Sequence, residues 1–243
     1  MTDKYETGEL LAQYLDFHFQ GEDAAYLPHH PLPNSVLAYP RRCADWTVRH
    51  ATLHGRALDL GCAVGGASFV LSRSFKEVVG IDFSRQFIDA ARTLAETGVF
   101  RSSEKEWTCF PMIGKTGNGF SDDRKRAPDF RVGDACALSK DLGVFDAVMM
   151  ANLLCRLPDP AACLDGIRKH VHSGSVIVLM TPCSWDEAFT PKEKQLVPTL
   201  PALKSLLEPW CDLLEVRDFP FVLRVHERRA EYTVALGTAW RVR

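Results

Sequence analysis

Several classes of protein are excluded by what this sequence lacks. No apolar run approaches the roughly 20 residues that a membrane-spanning helix needs, and residues 1–6 lack the basic and apolar regions of a secretory signal peptide. The eight cysteines contain no Cys-x-x-Cys pair, which argues against zinc clusters and disulfide frameworks. A formal net charge of -2 gives no general attraction for nucleic acid or anionic lipid. We therefore expect a cytoplasmic protein with mostly buried free thiols and no metal site, acting on a small molecule.

The length and composition fit one large globular domain. The 243 residues are 46% hydrophobic and 25% charged, which is enough to bury a sizeable core. Residues 10–19 are amphipathic and are followed by a proline- and histidine-rich stretch, so residues 1–50 are predicted to form an N-terminal helical cap on the substrate side. Residues 51–243 are predicted to form a single compact unit, because no repeat or linker interrupts them.

Short apolar runs alternate with helical segments from Arg56 onward, as they do in parallel βαβ units. Strands are predicted at 56–61, 77–82, 129–133, 145–151, 176–181, 213–226 and 232–242. Helices are predicted at 65–73, 84–97, 159–170 and 200–208. The pattern indicates an α/β, Rossmann-like fold with a mostly parallel seven-stranded sheet and helices on both faces. Residues 101–128 have little apolar content and are predicted to be an exposed excursion.

A glycine-containing turn follows the predicted strand at 57–61, and a helix begins directly after it at Gly65. Small residues in such a turn allow a ligand to approach the backbone and the helix N-terminus. The turn alone is a weak signal, because many tight strand-to-helix turns contain glycine and bind nothing. A binding site is predicted only if other residues at the same edge of the sheet also fit a ligand.

Two acidic residues supply that support. Asp82 ends the next strand, 23 positions after Asp59, where a carboxylate can accept hydrogen bonds from both hydroxyls of a ribose. It, or Ser84, can also cap the following helix. Asp134 ends a third strand and can accept the exocyclic amine of an adenine. Since the carboxyl ends of parallel strands meet at one edge of a sheet, the three strand ends predict a nucleoside site there.

The position of Asp59 separates two kinds of nucleoside cofactor. It lies two residues before Gly61, where a carboxylate can face the positively charged amino-acid portion of S-adenosylmethionine. The same carboxylate would repel the pyrophosphate of a dinucleotide. The sequence therefore favours S-adenosylmethionine over NAD.

These motifs resemble those of class I S-adenosylmethionine-dependent methyltransferases over about residues 55–182. The resemblance rests on Asp59-x-Gly61-x-Ala63-x-Gly65, Asp82, Gly133-Asp134 and residues 145–148. The family commonly has glycine at the position of Ala63, so the added methyl would press on the cofactor if φ there were positive. The predicted cofactor-binding residues are Asp59, Gly61, Cys62, Ala63, Gly65, Asp82, Phe83, Asp134, Ala135 and Asn152.

A narrower resemblance covers nearly the whole chain. The segments that carry it are residues 5–7, 14–19, 58–65, 79–84, 151–160 and 224–228, which are similar to the methyltransferase part of ovothiol biosynthesis. In that family alanine is usual at the position of Ala63. The resemblance implies methyl transfer to an imidazole nitrogen of 5-thiohistidine. Many members carry an iron-dependent sulfoxide synthase domain in the same chain, so it also implies a sulfoxide synthase as partner, and whether this chain acts free-standing or within a longer protein stays open.

The acceptor site is predicted from the chemistry that such a transfer needs. Asn152 ends the fourth strand beside the expected methyl position and is the candidate catalytic residue, with capping of the next helix as its alternative role. A substrate carboxylate fits a forked guanidinium, and an aromatic wall suits imidazole and methylsulfonium. The predicted substrate-binding residues are Tyr5, Phe17, Tyr39, Arg42, Arg156, Trp185, Arg224 and Glu227.

Each of these assignments has an ordinary structural alternative. An arginine can make a surface or structural ion pair, and an aromatic residue can belong to the core. His226, beside Glu227, is interpreted as an ordinary strand histidine rather than a general base, because the reaction does not demand one. Two other functions stay open: methyl transfer to another small acid or imidazole, and a catalytically silent subunit that binds S-adenosylmethionine.

Overall fold

A computed structural model describes residues 6–19, 32–103, 105–109, 127–226 and 228–243 of the chain. The helices are α1 (Gly8–Phe19), α2 (Tyr39–His50), α3 (Gly66–Leu71), α4 (Arg85–Thr97), α5 (Pro160–Ile167) and α6 (Thr199–Leu207). The strands are β1 (Arg56–Leu60), β2 (Glu77–Asp82), β3 (Val99–Arg101), β4 (Glu106–Thr108), β5 (Asp129–Val132), β6 (Phe145–Ala151), β7 (Val171–Thr181), β8 (Cys211–His226) and β9 (Arg229–Val242). The predicted binding residues Tyr5 and Glu227 lie outside the described residues.

Seven strands form one sheet in the order β5-β2-β1-β6-β7-β9-β8. The pairs within β5, β2, β1, β6 and β7 are parallel, and β9 runs antiparallel to both β7 and β8. The predicted Rossmann-like sheet with five parallel strands is thus confirmed. The chain order reverses beside β1, between β2 and β6, and in open α/β sheets ligands bind at such a switch point.

Both faces of the sheet are buried, because successive side chains of a strand point to opposite sides. Along β6, Ala147 and Met149 join one apolar cluster, whereas Val148 and Met150 join another. Helices α1 to α4 cover the first cluster, and α5 and α6 cover the second. The predicted helices on both faces are therefore present.

Local sequence signals explain where two of the helices begin. Ser84 is the N-cap of α4, and its hydroxyl accepts the Phe87 N–H at 3.2 Å. Asp159 is the N-cap of α5, and its carboxylate accepts the Ala162 N–H at 2.9 Å. Both side chains satisfy N–H groups that have no partner within the first helical turn.

The predicted exposed excursion at residues 101–128 is wrong at Trp107 and Cys109, which are buried, whereas residues 101–103 and 106 are exposed. β3 and β4 form a two-stranded antiparallel sheet. Trp107 is only 4% exposed and packs into the first apolar cluster, and its indole N–H donates to Asp16 of α1 at 2.7 Å. The low average hydrophobicity of the segment hid this one large anchoring side chain. Residues 110–126 lie outside the described residues.

All eight cysteines are free thiols, and six of them are buried, as predicted; the other two are Cys136 and Cys183. Among the helices that the structure describes, none is long and apolar enough to cross a membrane.

Candidate functional site

The turn after β1 has a backbone that is unusual in three places. Gly61, Ala63 and Gly65 have φ values of +77°, +48° and +85°. A side chain at Gly65 would lie 2.4 Å from the buried ring of Phe130, so glycine is required there by space as well as by conformation. Ala63 has a positive φ, which is the condition under which the sequence predicts that its methyl group presses on the cofactor. We call residues 61–65 the glycine loop.

Asp82 holds the glycine loop against the end of β2. Its carboxylate accepts the N–H of Ala63 and the N–H of Ser84, each at 2.9 Å, and the carbonyl of Ile81 accepts the N–H groups of Gly61 and Cys62. Burial raises the pKa of Asp82, against the lowering effect of these backbone N–H groups. Each carboxylate oxygen has a second lone pair for a ligand hydroxyl. Ser84 performs the helix-capping role, so Asp82 is left for the loop and a ligand.

Asp59 is more enclosed than the sequence indicated. It is 1% exposed, and its carboxylate accepts the hydroxyl of Ser68 at 2.6 Å. Burial raises its pKa to about 7. Asp59 therefore fixes α3 against the end of β1, in addition to any interaction with the amino-acid portion of a cofactor.

The other predicted cofactor residues line the neighbouring strand ends. Phe83 is 53% exposed immediately after Asp82, so one face of its ring is available to a flat ligand. The ends of β2 and β5 are joined by the Gly133 N–H, which donates to the Asp82 carbonyl at 2.9 Å. Asp134 is exposed and its carboxylate accepts the Cys136 N–H at 2.8 Å, while Ala135 is buried beneath it.

Two residues of the N-terminal segment reach this edge, and sequence reasoning assigned them no contact there. Nδ1 of His18, at the end of α1, accepts the N–H of Gly66 at 3.1 Å. Burial lowers the pKa of His18 to about 3, so the ring is neutral and can accept. Glu6 accepts the N–H groups of Arg85 and Gln86 at the start of α4. The N-terminal segment is thereby anchored to α3 through His18 of α1 and to α4 through Glu6, which precedes α1.

Asn152 lies directly after β6, next to the glycine loop. The neighbouring Leu153 side chain packs over Gly61, 2.9 Å from where a Cβ of Gly61 would be. Asn152 has φ of +57°, and its N–H donates to the Met180 carbonyl at 2.8 Å. Its side-chain oxygen accepts the hydroxyl of Tyr39 at 2.7 Å. The capping alternative does not apply, because Asp159 caps the helix that follows.

The aromatic wall is only partly as predicted. Phe17, Tyr39 and Phe221 form a trio with ring centroids 4.5–5.9 Å apart. Phe221 was missed, because nothing in its local sequence shows that β8 passes beneath α1 and α2. Trp185 lies outside the trio: it packs against the second apolar cluster, its indole N–H donates to Thr199 at 3.3 Å, and it lines a separate cavity with Arg156 and Asp186.

A cavity of about 640 Å³ opens beside this trio. It lies between α1, the segments that follow β6 and β7, and the end of β8. Its lining contains side chains of both charges. The residues that line it are Thr7, Glu9, Leu10, Ala12, Gln13, Tyr14, Asp16, Phe17, Arg156, Asp186, Phe189, Leu223, Arg224, Val225 and His226.

The three candidate arginines have different surroundings. Arg42 donates to the carbonyls of Leu37 and Pro220, which commits it to holding β8. Arg156 donates to the Ser184 carbonyl at 2.8 Å and stacks over Phe189. Arg224 makes one long bond, to the His226 carbonyl at 3.4 Å, and no ion pair within the described parts of the chain. Arg224 and Arg156 both face the cavity, and Arg224 has the more available guanidinium.

The fold is α/β, and the acidic residues Asp59, Asp82 and Asp134 lie at three strand ends on one edge of the sheet. A model of a methyltransferase domain family matches residues 36–217, which is most of the chain. The chain belongs to this methyltransferase family, and its cofactor is S-adenosylmethionine. A search of curated proteins gave no match.

Solved structures show the same fold. Magnesium protoporphyrin IX methyltransferase (ChlM) from Synechocystis PCC 6803, with bound SAM, is 16% identical with a TM-score of 0.59, over 99% of this chain and 94% of that one. The N-methyltransferase NodS from Bradyrhizobium japonicum WM9, with S-adenosyl-l-homocysteine, is 15% identical with a TM-score of 0.53, over 96% and 98%. The N-terminal domain of EvdMO1, with SAH bound, is 15% identical with a TM-score of 0.52, over 84% and 81%. At these identities the likeness is one of fold alone.

The residues at this edge fit S-adenosylmethionine. The glycine loop, with three positive φ values, would let a ligand approach its backbone; Asp82 would offer lone pairs to ribose hydroxyls, and the exposed Phe83 and Asp134 would be available to an adenine.

Proposed function

We propose that this chain transfers a methyl group from S-adenosylmethionine to an imidazole nitrogen of 5-thiohistidine, the final step of ovothiol biosynthesis. The observation that carries the proposal is the cavity next to the aromatic trio, which holds charges of both signs. Phe17 lines the cavity and packs on Tyr39, whose hydroxyl donates to the side-chain oxygen of Asn152 at 2.7 Å. The cavity is thereby linked through Phe17 and Tyr39 to the residue beside the glycine loop.

An amino acid with an imidazole side chain matches this lining. Its carboxylate fits the guanidinium of Arg224, which is available for a bidentate pair. Its ammonium group fits the carboxylates of Glu9 and Asp186 on the other parts of the wall. Its ring fits against Phe17, and an aromatic surface also suits the positive charge near a sulfonium.

The cofactor supplies a methyl carbon that is activated by a sulfonium. The protein has to align the acceptor nitrogen and exclude water, and positioning of this kind contributes on the order of 7–11 kcal/mol. The N–C bond forms as the C–S bond breaks, and the bonding pair returns to sulfur. An ionised thiol on the ring keeps electron density on the imidazole, so the described residues need not include a strong base.

We also propose a cellular location and a partner enzyme. All eight thiols are free, which supports a reducing, cytoplasmic location. An enzyme that places sulfur on the histidine ring has to supply the substrate, and we propose an iron-dependent sulfoxide synthase as that partner.

Incubation with S-adenosylmethionine and 5-thiohistidine, followed by mass analysis, tests the function. We expect a gain of one methyl group on a ring nitrogen. Methyl gain on a different small acid or imidazole, with none on 5-thiohistidine, would contradict the proposed substrate. Cofactor binding without turnover on any of them would indicate a silent subunit.

A variant of Arg224 tests the proposed orientation of the substrate. Arg224→Ala removes the proposed carboxylate partner, and the loss of one hydrogen bond to a charged group is expected to raise KM for 5-thiohistidine by about tenfold to a hundredfold. Arg217→Ala is the matched control, because Arg217 is an exposed arginine of the same strand that does not line the cavity. Equal effects of the two substitutions would remove Arg224 from the site.

A further inference from the structure

Asn152 is held at two points, one on its backbone and one on its side chain. Its backbone N–H donates to Met180 of β7, and its side-chain oxygen accepts the hydroxyl of Tyr39. The first bond fixes the position of a residue with a left-handed backbone. The second fixes which end of the amide faces Tyr39.

Tyr39 is held where its hydroxyl donates to this oxygen. It is 2% exposed and lies between the rings of Phe17 and Phe221, with centroids 5.8 Å and 4.5 Å away. Burial raises the pKa of Tyr39 well above its ordinary value, so the phenol keeps its proton. Tyr39 lies at the start of α2, which packs on the sheet, and this packing fixes the position of its hydroxyl.

The other end of the Asn152 amide, its side-chain nitrogen, is available to a ligand. In the described part of the chain, the side-chain nitrogen of Asn152 has no hydrogen-bond partner, and it is not among the buried polar atoms that lack one. An amide nitrogen has two N–H donors and no acceptor. With its oxygen occupied by Tyr39, Asn152 presents these N–H groups to a ligand.

We propose that Tyr39 is a positioning residue that locks Asn152 as a hydrogen-bond donor, and that Asn152 thereby selects methyl acceptors whose ring carries an anionic sulfur. This inference rests on the proposed function, since it assumes that the acceptor ring lies beside Asn152. An N–H bond to the sulfur holds it away from the methyl group and lowers its nucleophilicity. The ring nitrogen is then the atom that is methylated, although sulfur is the softer nucleophile.

The test compares the binding of 5-thiohistidine and histidine in the presence of S-adenosylhomocysteine, which permits no turnover. We expect the wild-type protein to bind 5-thiohistidine at least about tenfold more tightly, as one hydrogen bond to a charged group allows. Tyr39→Phe should reduce this preference several-fold with unchanged affinity for S-adenosylhomocysteine. Asn152→Ala should bring it near one, and Tyr39→Phe with Asn152→Ala should cause no further loss, because the two residues act through one contact.

A packing control separates positioning from a purely structural role. Phe221→Leu disturbs the same aromatic trio and leaves the hydrogen bond between Tyr39 and Asn152 in place. It should change both affinities alike and preserve the preference. A wild-type protein without the preference, or Tyr39→Phe that keeps it, would overturn the inference. Absence of turnover in the wild-type protein would overturn the proposed function instead, because this comparison measures binding alone.

Discussion

The ring of His18 accepts the backbone N–H of Gly66 at 3.1 Å, which joins the N-terminal helix to the first turn of the helix after the glycine loop. A Cβ on Gly66 would lie 2.7 Å from Nδ1 of His18, so the contact depends on glycine at that position. The N-terminal helix is thus in direct contact with the helix that follows the glycine loop. Loss of the contact should affect both.

His18→Ala removes the acceptor for the Gly66 N–H. We expect several-fold weaker binding of S-adenosylhomocysteine by calorimetry and faster proteolysis within α1, because a lost hydrogen bond to a buried N–H costs about 1–3 kcal/mol. His18→Asn, which keeps an acceptor of similar reach, should retain most of the affinity. Equal losses in both variants would show that ring packing, and not the hydrogen bond, holds α1.

Replacement of the Asp82 carboxylate tests where the cofactor binds. Asp82→Ala should lower the affinity for S-adenosylhomocysteine by at least about tenfold, because it loses bonds to a charged group. It should also lower the melting temperature, since Asp82 holds the Ala63 and Ser84 N–H groups. Asp89→Asn, an exposed carboxylate of α4, is the control and should change neither quantity strongly. Unchanged affinity in Asp82→Ala would place the cofactor elsewhere.

A third prediction concerns stability and pH at the opposite edge of the sheet. Nε2 of His172 lies 2.9 Å from the Asp146 carboxylate, which also accepts the N–H groups of Gly55 and Arg56. The hydrogen bond to the Ser173 carbonyl raises the pKa of His172 most, and the bond to the Asp146 carboxylate raises it further. Burial alone would raise the pKa of Asp146, but the Arg56 and Gly55 N–H groups and His172 outweigh it and lower that pKa.

The two shifts define a pH window. The raised pKa of His172 stabilises the fold fully below the ordinary value of 6.5, and this contribution is lost as pH rises through the folded-state pKa. The lowered pKa of Asp146 stabilises the fold above the ordinary value of 3.8, and this contribution is lost as pH falls through the folded-state pKa. The difference in unfolding free energy between the wild-type protein and His172→Gln should therefore be largest between these values.

Denaturant unfolding at a series of pH values measures that difference. His54→Gln is the control, because His54 is exposed and its ring packs beside Phe75 rather than a carboxylate. A difference for His172→Gln that stays constant from pH 4 to pH 9 would show that its bonds do not depend on protonation.

Much of the sheet could be predicted because its signals are local. Most of the five parallel strands contain a short apolar run, Asp82 is the last residue of β2, and Asp134 follows the end of β5. The parts that could not be predicted depend on contacts between distant residues. Trp107 is buried because α1 covers it, although its own segment is polar on average.

The glycine loop, the acidic strand ends and hence the class of cofactor could be predicted from the order of residues, because conformational freedom and charge are properties of single residues. The tertiary structure sets what surrounds the acceptor. It commits Arg42 to backbone carbonyls, places Trp185 against the other cluster, and bonds Tyr39 to Asn152 across 113 residues of sequence. A hydrogen bond depends on distance and direction in space, and neither follows from the order of residues alone.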